Sequence, residues 1–115
     1  MSHKTRVMYI ENKGDGITGR ARIGRVIFSK TGRSLYYRGK RFAKLNRCGF
    51  KSNYLDEETG EHYWISGCKK DGTEALYSTT IEIDEDVRDE YWTEIRRRPD
   101  QKKVASLNSP GKYSK

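Results

Sequence analysis

The chain has 115 residues, a net charge of +8 and a mean hydropathy of −1.02, and only 33% of its residues are hydrophobic. A chain of this length forms one domain and leaves no room for a second catalytic or regulatory domain. No apolar run approaches the ~20 residues of a membrane-spanning helix, and residues 1–12 lack the hydrophobic centre of a signal peptide. We therefore expect a cytoplasmic protein with no membrane partner. In that compartment Cys48 and Cys68 are expected to be reduced thiols rather than a disulfide.

The charges are distributed unevenly along the chain. Residues 1–54 carry 14 Lys and Arg against 2 acids, residues 55–98 carry 6 against 13, and residues 99–115 carry 4 against 1. If the fold keeps these segments apart, one side of the protein is cationic and another is acidic. This layout favours binding over catalysis.

The first 83 residues show the period-two alternation and frequent turns that are typical of short β-strands. Gly24 interrupts one of these strands in the manner of a β-bulge. The polar residues 56–61 are typical of a solvated hairpin tip. Strands are predicted at 7–10, 22–28, 35–37, 41–45, 50–55, 62–66, 75–77 and 81–83.

The hydrophobic period changes after residue 83. The acids at 84–86 suit an N-cap and the first turn of a helix. Val87, Tyr91 and Ile95 then recur at i, i+4 and i+8 as one apolar stripe. This pattern predicts a helix over about 85–97.

The helix stripe needs an apolar sheet face to cover. We expect Tyr91, Ile95 and Trp64 to be buried together. The predicted fold is mainly β: a small, strongly bent antiparallel sheet or partly open barrel, SH3-like or OB-like in shape, with one C-terminal helix. Residues 1–98 are expected to form this single domain, and residues 99–115 a flexible basic tail.

Three motifs suggest specific chemistry, and each has a simpler interpretation. Residues 14–19 match GxGxxG, but a strand follows instead of the helix that would receive a pyrophosphate, so a flexible hairpin loop is favoured. Cys48, His62 and Cys68 lack the paired spacing of a zinc site and the third group that would orient a Cys/His nucleophile. The acids of 56–61 do not match an EF-hand loop. No catalytic residue, metal ligand or cofactor is predicted.

Basic and aromatic residues alternate between positions 33 and 54, and this segment is the strongest functional candidate. Rings that face outward would stack on bases while the cations contact phosphates, as in barrel folds that hold single strands. The alternative is that the rings form the core and the cations solvate the other face. The predicted nucleic-acid-binding residues are Arg33, Tyr36, Arg38, Lys40, Arg41, Lys44, Arg47 and Lys51.

The sequence therefore favours a non-enzymatic binding protein whose basic half contacts nucleic acid or another anionic partner. The alternative is a protein–protein interaction module that uses the acidic helix or an aromatic patch. The helix acids could instead fold against the protein's own cationic half. These acids are Asp86, Asp89, Glu90 and Glu94.

Three segments carry a resemblance to known sequences: ARIGRVIFSKTG at 21–32, YWISG at 63–67 and IDEDVRDEYW at 83–92. They resemble a family of small uncharacterised bacterial proteins, over roughly residues 5–98. The resemblance implies no functional residues. Some sequences of this appearance bear the label deoxyxylulose-phosphate synthase, which does not fit, because such an enzyme needs several domains and a thiamine diphosphate site.

Overall fold

The computed structural model describes residues 4–13, 21–49, 52–68 and 79–109. The predicted Gly-rich loop at 14–19 and the predicted strand at 75–77 lie outside these residues. The strands are β1 Thr5–Asn12, β2 Ala21–Phe28, β3 Ser34–Tyr37, β4 Lys40–Gly49, β5 Ser52–Asp56, β6 His62–Gly67, β7 Thr79–Ile83 and β8 Ser106–Ser109.

Strands β1 to β6 form a closed antiparallel barrel. They are hydrogen-bonded in the order β1-β6-β5-β4-β3-β2, and β2 pairs back onto β1 from Glu11↔Ala21 to Thr5↔Ile27. Closure removes the exposed edges that an open sheet would present. The prediction of a mainly β fold with a small barrel and a C-terminal helix is confirmed.

Two further strands extend the sheet outside the barrel. β7 runs parallel to the first half of β2, with Ala21 opposite Ile81 and Ile23 opposite Ile83, and β8 pairs antiparallel with β7. β2 pairs with β3 only at Ile27 and Phe28. The barrel therefore opens between β2 and β3 at the end where β7 is attached.

The segment after residue 98 differs from the expected flexible tail. Pro99–Gln101 forms a 3-10 turn and Ser106–Ser109 forms β8, so the domain continues at least to residue 109. The tail is polar, and its order comes from main-chain pairing with β7 and from Leu107, which packs on the core. Residues 110–115 lie outside the described part of the chain.

One helical segment, residues 85–95, lies between β7 and the 3-10 turn. It consists of a 3-10 turn at Glu85–Val87, an α-turn at Arg88–Glu90 and a π-turn at Tyr91–Ile95. The segment ends two residues earlier than predicted, because Arg97 adopts a left-handed φ of 57°.

The barrel strands bury both faces where the helical segment covers them. Inside the barrel lie Met8, Ile10, Val26, Leu35, Tyr37, Phe42, Tyr54 and Ile65. A second core lies between the outer face of β1 and β2, β7 and the helical segment, and contains Val7, Tyr9, Ala21, Ile23, Ile81, Ile83, Val87, Tyr91 and Trp92. The π-turn widens the helix at Tyr91, so that both Tyr91 and Trp92 reach this core. Trp64 and Ile95 pack against it but are only half-buried.

Gly24 is not a β-bulge, because the β1–β2 register runs through Met8↔Gly24 without a shift. A Cβ at Gly24 would collide with the Tyr37 ring and lie 2.6 Å from Oδ2 of Asp84. The glycine is needed for this close approach rather than for a kink. Among the described residues, no helix is long and apolar enough to cross a membrane.

Candidate nucleic-acid interface and barrel-end cavity

The β3–β4 hairpin carries most of the predicted binding residues. Its two-residue turn places Arg38 and Gly39 at φ values of 51° and 78°, the geometry of a type I′ hairpin turn. In the register of the hairpin, Tyr36 lies opposite Arg41 and Tyr37 lies opposite Lys40. The short turn thus fixes which residues face outward.

The rings of the predicted interface divide between core and surface. Tyr37, Phe42 and Tyr54 are buried inside the barrel, as the core alternative expects. Tyr36 is 37% exposed on the outer face. Phe50 lies outside the described residues.

Tyr36 is the centre of a row of outward side chains across three strands. Ile27 of β2, Tyr36 of β3 and Arg41 of β4 are direct cross-strand neighbours. Ile27 is 40% exposed, and the Arg41 guanidinium lies 6.0 Å from the Tyr36 ring centroid. Nε of Arg41 also lies 3.2 Å from a carboxylate oxygen of Glu57 at the exposed surface, where such a pair contributes ~0 to 1 kcal/mol.

The remaining predicted cations lie at the two ends of the hairpin rather than on one face. Arg38 and Lys40 are at the end where the barrel opens. Arg33 and Lys44 are exposed at the other end, where N–H of Lys44 donates to the carbonyl of Arg33. The Arg47 side chain and Lys51 lie outside the described part of the structure.

Most ion pairs join the basic and acidic halves of the chain. Six of the seven ion pairs between described residues do so, and of the four helix acids only Glu90 takes part in them. They are Arg22–Glu82, Arg22–Asp84, Arg25–Glu90, Arg38–Asp84, Lys40–Asp56 and Arg41–Glu57. The cationic surface is therefore smaller than the sequence charge suggests.

A cavity of about 620 Å³ lies at the open end of the barrel and is lined by residues of β1, β2, β3, β4, β6 and β7. Ile10, Tyr37, Phe42 and Tyr63 contribute its apolar surface. The polar residues around it are Asn12, Arg22, Arg38, Lys40, Glu61, Thr80 and Glu82.

Asp84 bridges the gap between β2 and β3 beside this cavity. Its Oδ1 accepts from Nε of Arg22 at 2.9 Å, and its Oδ2 accepts from the Tyr37 hydroxyl at 2.5 Å. Although Asp84 precedes the helical segment, its side chain makes no capping hydrogen bond there. Burial, and then the hydrogen bond to Asp84, raise the pKa of Tyr37 well above its ordinary value.

The acidic loop is not solvated throughout, because Asp56 is fully buried. Its Oδ1 accepts from N–H of Glu58 at 2.9 Å and of Thr59 at 3.3 Å, and its Oδ2 lies 3.3 Å from Nζ of Lys40. Burial alone would raise the pKa of Asp56, but the hydrogen bonds from Glu58, Lys40 and Thr59 outweigh it and lower the pKa. The charge of Lys40 is therefore partly neutralised by Asp56 and less available to an external anion.

The helix acids remain mostly at the surface. Asp86, Asp89 and Glu94 are exposed, and Glu90 is paired with Arg25 at 2.5 Å. The acidic helix surface, which the protein–protein interaction hypothesis invokes, is therefore accessible.

Of the cysteines and histidines, Cys68 and His62 have side chains in the described part of the chain. Cys68 packs against the outer core, and Nδ1 of His62 lies 3.0 Å from Oγ of Ser52. Among the described residues no group of three or more His, Cys, Asp or Glu side chains could hold a metal ion. The side chain of Cys48 lies outside the described residues.

Residues around the cavity come from segments that are distant in sequence, and sequence reasoning missed Asn12, Arg22, Tyr63 and Glu82. No spacing pattern joins them, since they meet only when the barrel closes and β7 adds to β2. Comparisons of the chain with protein-family models, curated proteins and solved structures found no match.

Proposed function

We propose that this protein is a non-enzymatic binding protein that holds single-stranded nucleic acid along its β3–β4 hairpin, with little sequence preference. The observation that carries the proposal is the exposed Tyr36 ring with the Arg41 guanidinium 6.0 Å from its centroid. Its neighbours Leu35 and Tyr37 supply the core contacts of β3, whereas the Tyr36 ring packs only on the outer face, between Ile27 and Arg41. A ring of this kind stacks on a base while a nearby cation meets the phosphate.

The ends of the hairpin support the same proposal. Arg33 and Arg38 flank the four residues of β3, which places them ~17 Å apart along the strand at ~3.4 Å per residue. A nucleic acid strand that follows β3 would meet cations before and after Tyr36. Among the described residues, Arg33 and Lys44 have no ion-pair partner, so their charge is available to phosphates.

A single strand fits better than a duplex, because stacking on Tyr36 requires an unpaired base. Affinity should depend strongly on salt, since most of it would come from phosphate neutralisation. Sequence preference should be weak, because every base presents a face that can stack.

Fluorescence anisotropy of the full chain with labelled single-stranded oligonucleotides, at ~50 mM salt and above, tests the proposal. Tyr36→Ala should weaken binding by ~1 to 3 kcal/mol, the usual contribution of one stacked base. Tyr36→Phe should keep most of the affinity, because stacking needs the ring and not the hydroxyl. Absence of any retention at ~50 mM salt would refute the proposal.

The charges are tested by the Arg33→Gln/Lys44→Gln double variant. Each lost phosphate contact should reduce the salt slope by about 0.7. A matched control is Arg98→Gln/Lys103→Gln, which removes two exposed cations outside the hairpin. Equal losses in the two double variants would mean that net charge, and not the hairpin, attracts the nucleic acid.

A protein-interaction module is the second candidate, favoured by the adjacent exposed apolar side chains Ile27 and Tyr36. The Ile27→Asn variant distinguishes nucleic acid binding from a protein-interaction function. It would disrupt an apolar protein contact and leave the cations of the hairpin in place.

A further inference from the structure

The cavity at the open end of the barrel is a separate site from the outer face of the hairpin. Its volume of about 620 Å³ falls within the ~300 to 1,000 Å³ of typical small-molecule sites. It also combines an apolar wall with a few polar groups, as such sites do. Its existence follows from the topology, because β2 leaves β3 to pair with β7.

The wall of the cavity is aromatic and well supported. Phe42 and Tyr63 pack edge to face, with ring centroids 4.8 Å apart and an interplanar angle of 66°. Tyr37 is held by its hydrogen bond to Asp84. Phe42 is only 1% exposed and supports the half-buried Tyr63 ring from inside the barrel. Because Tyr63 is held in place, a planar ligand could bind against it with little loss of side-chain entropy.

The cations around the cavity differ in how far their charge is already satisfied. Arg22 binds both Glu82 and Asp84, at 2.6 and 2.7 Å, and Lys40 binds the buried Asp56. The Arg38 side chain is 59% exposed, and its closest described carboxylate oxygen, Oδ2 of Asp84, is 4.0 Å away. That oxygen already accepts from Tyr37. Arg38 is thus the cation best placed to bind an anion from outside.

The acids around the cavity limit how much negative charge a ligand can bring. Glu61 and Glu82 line it, and Asp84 lies beside it. A ligand with one anionic group next to Arg38 would be attracted, whereas a longer polyanion would meet these carboxylates. Asn12 and Thr80 add polar side chains to the lining, and Nδ2 of Asn12 donates to Glu61 and to the Tyr63 hydroxyl.

We infer that this cavity binds a nucleoside monophosphate unit, with the base against the half-buried ring of Tyr63 and the phosphate on Arg38. The unit has two sources: a free mononucleotide, or the phosphorylated end of a single strand. The two sites share Arg38, but the inference does not rest on the proposed function, because Tyr36 and Ile27 are outside the cavity.

Isothermal titration calorimetry of the full chain with AMP, adenosine, ATP and inorganic phosphate tests the inference. AMP should bind more tightly than each of the other three. An oligonucleotide with a 5′-phosphate, compared with the same oligonucleotide lacking it, distinguishes a strand end from a free nucleotide. Failure of both AMP and the 5′-phosphorylated oligonucleotide to bind at ~1 mM would overturn the inference, and so would phosphate binding as tightly as AMP.

Two variants of opposite expected sign separate binding from structural damage. Arg38→Asn should weaken the binding of AMP about tenfold, or about 1.4 kcal/mol, and leave the binding of adenosine unchanged. Asn tolerates the left-handed φ of 51° at this position, so the turn is preserved. Glu82→Gln should strengthen the binding of AMP and ATP, because it removes a negative charge from the cavity. If both variants weaken AMP, or neither changes it, the assignment of the phosphate to Arg38 is wrong.

Tyr36→Ala keeps the two proposals distinguishable. It should leave AMP binding unchanged while it weakens single-stranded oligonucleotides without a terminal phosphate. Loss of AMP binding in this variant would place the nucleotide on the outer face and overturn the cavity assignment.

Discussion

The Tyr37 hydroxyl donates a 2.5 Å hydrogen bond to Oδ2 of Asp84, which joins the end of β3 to the residue that follows β7. Asp84 also binds Arg22 of β2. One buried carboxylate therefore connects the two barrel strands at the place where their main chains no longer pair. This contact supports both the barrel closure and the wall of the cavity.

The first prediction is that the protein loses stability in alkali partly through Tyr37. Its pKa is raised in the folded state by burial and by Asp84, so the stability it contributes is present below about pH 10, its usual unfolded pKa. That stability is lost as the pH rises further, because the folded state resists ionisation. Urea unfolding between pH 8 and 11 measures the free energy of unfolding, which should fall less steeply with pH in Tyr37→Phe than in wild type. The variant should cost ~0.5 to 1.5 kcal/mol at pH 7. Identical alkaline slopes would contradict this role.

A second prediction concerns the close packing at Gly24. Gly24→Ala should destabilise the protein by ~1 to 3 kcal/mol, because the new Cβ would collide with Tyr37 and Asp84. Gly67→Ala is the matched control. Its Cβ would meet the guanidinium end of Arg6, which can move aside, so this change should cost clearly less in the same thermal melts. Equal costs would mean that backbone entropy, and not the Tyr37–Asp84 contact, decides the effect.

The third prediction is an acid transition that involves Asp56. The folded-state pKa of Asp56 is lowered, so its contribution to stability is present above its unfolded pKa of about 3.9 and is lost as the pH falls below it. Asp56→Asn should flatten the decline of the free energy of unfolding below about pH 4 and keep an acceptor for the turn. Asp56→Ala should cost ~1 to 3 kcal/mol at pH 7, because it leaves N–H of Glu58 and Thr59 without their acceptor. An acid limb as steep in Asp56→Asn as in wild type would count against this account.

A fourth prediction tests how the helical segment docks. Tyr91 is fully buried, whereas Ile95 is half-buried at the edge of the outer core. Tyr91→Ala should therefore cost ~3 to 5 kcal/mol, and Ile95→Ala distinctly less. Chemical denaturation of the two variants measures the difference. A smaller loss for Tyr91→Ala than for Ile95→Ala would show that the π-turn does not direct Tyr91 into the core.

The strands and the helix could be predicted because their signals are local. The turn at Arg38 and Gly39 marks where β3 ends and β4 begins, and the stripe of Val87 and Tyr91 reports which face of the helical segment is buried. The parallel pairing of β7 with β2 has no such signal. It places Ile81 opposite Ala21 through contacts that span 60 residues.

The candidate site was only partly predictable for the same reason. Alternation in β3 identifies either Tyr36 or Tyr37 as the outward ring, but the choice depends on barrel register. Buried acidic residues are harder still to predict from the sequence. Glu11 and Asp56 are buried, and each is paired with a lysine, Lys13 or Lys40, in the folded chain. The prediction of a solvated hairpin tip at 56–61 placed Asp56 at the surface, and this was wrong.

The last prediction concerns the chain beyond residue 98. The Trp92 indole N–H donates to the carbonyl of Val104 at 3.0 Å, and N–H of Ile83 donates to the carbonyl of Ala105 at 2.8 Å. Shortening the chain after Arg98 removes both acceptors and strand β8, and leaves a buried indole and the edge of β7 unsatisfied. The melting temperature should fall by many degrees, whereas shortening it after Ser109, which keeps β8, should change it little. Equal melting temperatures for the full chain and the chain ending at Arg98 would restore the view of residues 99–109 as a dispensable tail.

Because the loss is structural, removal of this segment is not a clean test of its basic residues in nucleic acid binding. The exposed pair Arg98 and Lys103 must instead be changed singly or together within the full chain.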